Sequence, residues 1–297
     1  MLSQQCEPLK RQGYQFFSSL SSAAVKPCLW CKAALTKSEM CYKHQFYGIE
    51  SHRCVQMTPT LRCTQRCLFC WRSFEHQIDE EEECSPEEML RLIPELQKRA
   101  LSGYKVSPHV SSERFQEALY PRHVAISLSG EPTLYTQLPL LIDLLRDNGF
   151  TTFLVSNGTR PEVLQKCHPF QLYVSLCAPN EEVYLRLCRP MEDSWDAVQE
   201  SLLQLGKKRS AIRITLVQGW NDQNPAQYGK LIQEAGPWFV EVKGYMYLGY
   251  SRKRLRRENM PEFHHVYAFA REIAACSGYK IRDQNAVSRV VLLGRDK

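Results

Sequence analysis

The sequence predicts an α/β fold: a partial barrel of six strand–helix units, flanked by a cysteine-rich N-terminal extension and a C-terminal extension. Three observations predict it. From Cys54 onward, apolar β-rich runs alternate with helix-like segments, the pattern of a parallel sheet covered by helices. The helical segments carry their own start and stop residues. The segments richest in Cys, Gly, Ser and Asn follow the strands, at the carboxyl ends where such folds place their sites. Six units are too few for a closed eight-fold barrel and suit an open one.

Strands are expected at Arg53–Thr58, His123–Leu128, Thr151–Ser156, Gln171–Leu176, Ala211–Val217 and Phe239–Leu248. The helix beginning at Ser85-Pro86-Glu87-Glu88 has serine as N-cap, proline at the first helical position and glutamate three after the cap, a capping box. Leu138–Asn148 stops before Gly149 and Pro225–Ala235 before Gly236. The expected boundaries are 1–53 for the N-terminal extension, 54–250 for the barrel and 251–297 for the C-terminal segment.

With 297 residues the chain can bury a large core. Thirteen cysteines in a secreted chain would suggest disulfides, yet Phe16 to Val25 is serine-rich and too polar for the apolar stretch of a signal peptide. A reducing cytoplasm is expected, where clustered cysteines mean metal or catalysis. No apolar run approaches the roughly 20 residues that span a bilayer, so a soluble protein, expected to be a monomer, follows. The net charge of +6 is compatible with an anionic partner. Arg252, Lys253, Arg254, Arg256 and Arg257 concentrate it, while Asp79 to Glu83 form an acidic stretch that would repel phosphate.

Cys63, Cys67 and Cys70, in "CTQRCLFCWR", leave three residues between the first pair and two between the second. Iron–sulfur clusters normally take four cysteines, so three leave one iron open to a small molecule. Structural zinc sites close four ligands, usually as two separated pairs, and no partner pair of that form lies nearby. Phe69 precedes the last cysteine, and Cys-x3-Cys-x-aromatic-Cys resembles the signature of radical S-adenosylmethionine (SAM) enzymes, in which SAM chelates the open iron. "SLSGEPT", "VSNGT" and "VSLCAPN" each follow an expected strand. Gly-Glu-Pro is ordinary turn punctuation. In such a barrel it also resembles the glycine-rich segment receiving SAM's amino group, through Ser129, Gly130 and Glu131. Asn157 and Ser175 resemble polar residues near its ribose or carboxylate.

A second cysteine set lies upstream. Cys41 follows Cys28 by 13 residues and Cys54 follows Cys41 by 13. Cys28 and Cys31 form a C-x2-C pair that would join Cys41 and Cys54 around zinc; alternatively Cys28, Cys41 and Cys54 hold a second cluster without Cys31. Spacing alone leaves both open.

"CYKHQFYGIESHRCVQMTP", "HVAISLSGEPTLY", "RITLVQGWN", "EVKGYMYLGYSR", "NMPEFHHV" and "SRVVLL", together with the three-cysteine run, resemble the 4-demethylwyosine synthases, radical SAM enzymes of the tRNA wybutosine pathway. The resemblance runs from about Cys28 to Leu293 and implies two 4Fe-4S clusters, one on Cys63, Cys67 and Cys70 and one on Cys28, Cys41 and Cys54. The family's Schiff-base lysine falls on Lys43. The implied reaction condenses pyruvate with 1-methylguanosine beside the anticodon of phenylalanine tRNA. Hydrogen abstraction from the methyl group is followed by attack on pyruvate and loss of its carboxylate carbon as formate. Pyruvate has two competing anchors, Lys43 and the open iron of the second cluster. A base beside the anticodon must leave its stack to be modified, and Tyr245, Tyr247 and Tyr250 are candidates to stack on it. Arg252, Arg254, Arg256 and Arg257 are the expected tRNA contacts.

Cys177 stands where the family more often has aspartate, and Gln218 where lysine is common. The flavodoxin-like domain of the eukaryotic enzymes is not found, so a stand-alone archaeal-type form with an external donor such as flavodoxin or ferredoxin is expected. The rivals are another radical SAM enzyme with an auxiliary cluster and a non-catalytic zinc protein that binds RNA.

Overall fold

The computed structural model describes residues 2–74, 82–105 and 107–295. The part of the acidic stretch at residues 79–81 lies outside them. The chain divides into two compact units.

The first unit comprises Met1–Cys63, His76–Val155 and Lys166–Phe170. Its elements are α1 (Leu2–Arg11), β1 (Gln15–Phe16), β2 (Ala24–Val25), α2 (Leu29–Thr36), α3 (Tyr42–Tyr47), β3 (Cys54–Thr58), α4 (Pro86–Leu101), α5 (Ser112–Ala118), β4 (His123–Ile126), α6 (Leu138–Asp147) and most of β5 (Thr151–Ser156). β3, β4 and β5 pair in parallel, and the β1–β2 ribbon joins the outer side of β3 antiparallel. All four residues of β4 are buried, as expected for a strand covered on both faces. Leu138, Leu141, Ile142 and Leu145 place a buried stripe along α6 at helical spacing.

α4 starts where expected. Ser85 Oγ accepts from the Glu88 amide at 3.2 Å, but the Glu88 carboxylate takes the Cys84 thiol at 3.2 Å, so only the serine half of the expected box is seen. Burial and the carboxylate together push the Cys84 thiol up to about 12. α6 ends one residue earlier than expected, with Asn148 as its C-cap.

The second unit comprises Thr64–Glu75, Ser156–Gln165 and Gln171–Lys297. It contributes α7 (Pro161–Lys166, less its last residue), β6 (Gln171–Ser175), α8 (Glu181–Leu187), α9 (Trp195–Leu203), β7 (Ser210–Leu216), α10 (Pro225–Ala235), β8 (Phe239–Gly244), α11 (Phe263–Ser277), β9 (Lys280–Asn285) and β10 (Val290–Gly294). β6, β7 and β8 pair in parallel, then β10 adds antiparallel to β8 and β9 to β10. Sequence periodicity did not announce this C-terminal hairpin. β9 (Lys-Ile-Arg-Asp-Gln-Asn) alternates exposed and half-buried residues, the charged form of an edge strand.

The six expected strands are all present, and all three of those in the second unit stop short of the expected carboxyl end. β8 shows the largest difference, ending at Gly244 rather than Leu248. Tyr245 then turns inward, 2% exposed, and its hydroxyl bonds Ser251 at 2.8 Å. It packs with Leu68, Leu187, Val217 and Leu255, so it is a core residue rather than a stacking platform. No helix among the described residues is long and apolar enough to cross a membrane.

Candidate active site

The three-cysteine loop begins in the first unit, where Cys63 follows β3. Thr58 Oγ1 lies 2.5 Å from the Thr60 carbonyl and 2.6 Å from that of Ser129, tying this stretch to the turn after β4. Gly130 meets the same stretch with φ +78°, and a side-chain Cβ there would collide with the Thr60 and Arg62 carbonyl oxygens. Only glycine allows that approach. The Glu131 amide donates to the Arg62 carbonyl at 2.7 Å. Glu131 itself is 1% exposed, and its Oε1 accepts from the Thr133 hydroxyl at 2.7 Å and amide at 3.1 Å, capping the turn over Pro132–Leu134. One hydroxyl stands out beside it: Ser129 Oγ is buried with no hydrogen-bond partner among the described residues. Such a group asks for a polar ligand, which fits the amino-acid end of SAM.

In the second unit the loop is strapped down by a segment that sequence reasoning did not single out. The Arg66 amide donates to Arg189 O at 3.0 Å, Leu68 to Leu187 O at 2.9 Å, and Met191 to Thr64 O at 2.9 Å. Asn157 Nδ2 donates to Thr64 Oγ1 at 2.9 Å, and Asn157 Oδ1 accepts from Thr159. Asn157 therefore fixes the start of the loop. Cys67 Sγ lies 3.2 Å from Gln65 Oε1 and within hydrogen-bond reach of buried Cys188, which also bonds Cys177. Cys177 is thus a buried partner of Cys188. The Gln218 amide donates to Asn259 O at 2.9 Å, and Asn259 Nδ2 donates back to Gln218 O at 3.0 Å. Phe69 packs against the Leu68–Tyr245 cluster, and Ser175 is half-buried at the end of β6.

Arg254 holds the far end of the loop. Its guanidinium donates to the carbonyls of Leu68 (3.2 Å), Arg72 (3.1 Å) and Cys70, and lies 4.0 Å from the centre of the Phe74 ring. Gly249 comes against the Trp71 carbonyl with φ +54°, and the Tyr250 amide donates to that carbonyl at 2.9 Å. Burial raises the Cys70 thiol, while Arg72 and Arg254 favour its thiolate. Arg254 therefore braces the loop, through Nε and Nη2. Arg252 lies over Tyr247, and Arg256 pairs with Glu258 at 3.6 Å. Arg252, Arg256 and Arg257 are exposed.

Removing the cation should loosen the loop and lower the reduction potential of a cluster held there, because a nearby positive charge favours the reduced, more negative form. Arg254→Gln is expected to cut SAM cleavage about 10-fold, a loss of about 1.4 kcal/mol, and to shift the potential negative in a redox titration followed by electron paramagnetic resonance. Arg254→Lys should restore most of the potential.

The second cysteine set gathers in the first unit. Cys28 caps α2, its sulfur accepting from the Cys31 amide at 3.3 Å; Cys41 caps α3, its amide donating to Ser51 Oγ at 2.9 Å; Cys54 opens β3. Cys28, Cys41 and Cys54 lie close enough to interact electrostatically, and Lys43 favours the thiolates of Cys28 and Cys54. Burial outweighs this and raises both thiols. Cys31 is engaged differently: it is 0% exposed, packed with Leu35, Leu101, Phe115 and Ala118, its sulfur bonded to His52 O and Gln97 Nε2, each at 3.8 Å. Lys43, on the first turn of α3, is 9% exposed with its ammonium 4.7 Å from the centre of the Phe153 ring.

The profile described as "Radical SAM superfamily" matches residues 57–232, and that described as "Wyosine base formation" matches residues 234–295. The SAM-dependent tRNA 4-demethylwyosine synthase of Pyrococcus abyssi is 43% identical over 300 residues, covering 97% of this chain and 87% of that protein. The chain belongs to the tRNA 4-demethylwyosine synthase family. The Methanocaldococcus jannaschii member is 41% identical, covering 96% of this chain and 94% of that protein. Against the mouse member the identity is 37%, and the match covers 98% of this chain but 41% of that longer protein. A solved structure of TYW1 with a lysine–pyruvate adduct superposes with a TM-score of 0.91 at 40% identity, covering 99% of this chain and 96% of that one. Archaeal TYW1 gives 0.82 at 36% identity, with 99% and 96% covered. The fold is thus the α/β radical SAM fold, and the chain is a SAM-dependent enzyme of wyosine formation in tRNA that uses a 4Fe-4S cluster.

Proposed function

We propose that the enzyme condenses pyruvate with 1-methylguanosine beside the anticodon of phenylalanine tRNA, with Lys43 holding pyruvate beside a second 4Fe-4S cluster on Cys28, Cys41 and Cys54. The observation that carries this reading is the surroundings of Lys43: a nearly buried amine over Phe153, within electrostatic reach of Cys28 and Cys54. A lysine so desolvated is suited to Schiff-base chemistry with a carbonyl, and the relative solved with a lysine–pyruvate adduct supports the same assignment.

The ligand set Cys28, Cys41 and Cys54 follows the thirteen-residue spacing of the family resemblance; Cys31, whose sulfur contacts His52 O and Gln97, lies within electrostatic reach of all three. The iron and zinc content of Cys31→Ala separates this set from a four-cysteine zinc site. Cys63, Cys67 and Cys70 hold the cluster that binds SAM, with Ser129, Gly130 and Glu131 at its amino group and Asn157 and Ser175 near its ribose or carboxylate. When bound, the clusters and SAM supply the electron and the hydrogen-abstracting carbon radical that an N-methyl C–H bond requires. Lys43 attacks the carbonyl carbon of pyruvate, loses water and fixes that carbon in place, while the buried walls exclude bulk water from the amine.

The segment 1–53 carries most of the second-cluster ligands, 54–250 forms the barrel, and 251–297 contributes exposed Arg252, Arg256 and Arg257 to tRNA. The enzyme acts as a cytoplasmic monomer fed by an external donor such as flavodoxin or ferredoxin. Anaerobic incubation of 1-methylguanosine-containing tRNA with SAM and reductant tests the reaction. The tricyclic base is expected only when pyruvate is added; its formation without pyruvate would refute the two-carbon source.

A further inference from the structure

We propose that a cleft beside the cluster loop is a binding site for an RNA strand, with Arg66 and Arg189 as phosphate anchors and Phe74 and Met191 as the apolar surface for a base; this rests on the tRNA reading above. The cleft is about 590 Å³ and is lined by Arg66, Phe74, Arg189, Pro190 and Met191, a size within the roughly 300–1,000 Å³ of ligand clefts. Among the described residues its lining holds two cations and no acid. Both arginines are exposed, and among the described residues neither guanidinium has a carboxylate partner.

The backbone bond from Arg66 N to Arg189 O, 3.0 Å, holds the two anchors side by side. Arg189 has φ +48°, a left-handed conformation that long side chains rarely adopt and that clusters at functional positions. Phe74 has one contact already made, with Arg254, which fixes the ring in place at the cleft. Met191 is 58% exposed, which leaves its polarizable thioether open to a flat apolar ligand. Cationic anchors beside an aromatic ring and a thioether suit a nucleotide, phosphate on the arginines and base on the apolar wall.

The charge pattern also selects among the ligands of the reaction. SAM carries a sulfonium and an ammonium against one carboxylate, so paired guanidiniums would repel it. Pyruvate is too small to use Phe74 and Met191. A phosphodiester strand matches both parts of the cleft.

The test is fluorescence anisotropy of a labelled anticodon stem-loop RNA, titrated with the full chain across a range of salt. The Arg66→Gln, Arg189→Gln chain is expected to bind about 10- to 100-fold more weakly, and the slope of log affinity against log salt to shrink by about 1 to 2, the share of two phosphates. The Arg66→Lys, Arg189→Lys chain, which keeps both charges, should keep the wild-type slope. Wild-type binding that the glutamine chain reproduces in affinity and slope overturns the site, as does weakened SAM binding with RNA binding intact. A wild-type chain that does not bind the RNA would instead overturn the tRNA reading on which the site rests.

Discussion

Lys43→Ala is expected to lose the pyruvate-dependent tricyclic product by roughly 1,000-fold or more, the scale set by removing a covalent nucleophile, while still releasing 5′-deoxyadenosine from SAM. The split follows from where the lysine sits. Lys43 lies on α3 among Cys28, Cys54 and Phe153, whereas the three-cysteine loop follows β3 and is held by other residues. Removing the amine should therefore spare the radical's source and abolish its acceptor. Lys43→Arg keeps the charge beside the cysteines but cannot form a Schiff base, so it should fail equally. Full product formation in either variant would remove the lysine as the anchor and leave the open iron of the second cluster in that role.

The second large effect concerns the cysteines. Cys63→Ala, Cys67→Ala or Cys70→Ala should abolish SAM cleavage altogether, because each removes a ligand from the cluster whose open iron takes SAM. Cys28→Ala, Cys41→Ala or Cys54→Ala should instead halve the iron of the reconstituted protein, from about 8 to about 4 per chain, as expected when one of two 4Fe-4S clusters is lost, and end product formation while SAM is still cleaved. Cys31→Ala is the control that separates the cluster from zinc. It should keep the full iron content and lose about 1 kcal/mol of stability, the scale of a buried packing and hydrogen-bonding change. Iron lost on Cys31→Ala, or stoichiometric zinc in the wild type, would contradict the ligand set.

How much of this was legible in the sequence depended on how each element announces itself. β3 to β8 were legible because a parallel strand buried on both faces reads as a bounded apolar run. Strand ends were less so: the Tyr245–Leu248 stretch is apolar enough to continue β8, but Tyr245 is drawn into the core by Ser251 and Leu255. α2 and α3 were invisible because their N-caps are Cys28 and Cys41, not the Ser, Thr, Asp or Asn that usually mark a helix start. The cluster loop was read from spacing alone, yet its supports were not. Arg254 sat inside a basic run that looks like a solvated face, and only the fold turns its guanidinium onto three carbonyls of the loop. The strap at Leu187–Met191 carries no motif at all, because its work is done by backbone amides and carbonyls. Likewise spacing treats Cys28 and Cys31 alike, whereas the fold buries Cys31 fully among Leu35 and Phe115 and leaves Cys28 at the edge of that cluster as the cap of α2.

Borohydride trapping tests the central claim most directly. Pyruvate bound to the anaerobically reconstituted enzyme is reduced in place, and the digested protein is mapped by mass spectrometry. A Schiff base on Lys43 predicts a pyruvate-derived secondary amine on the peptide containing that residue and none in Lys43→Ala. An adduct confined to another lysine, or no adduct under conditions where pyruvate-dependent product forms at the wild-type rate, would contradict it.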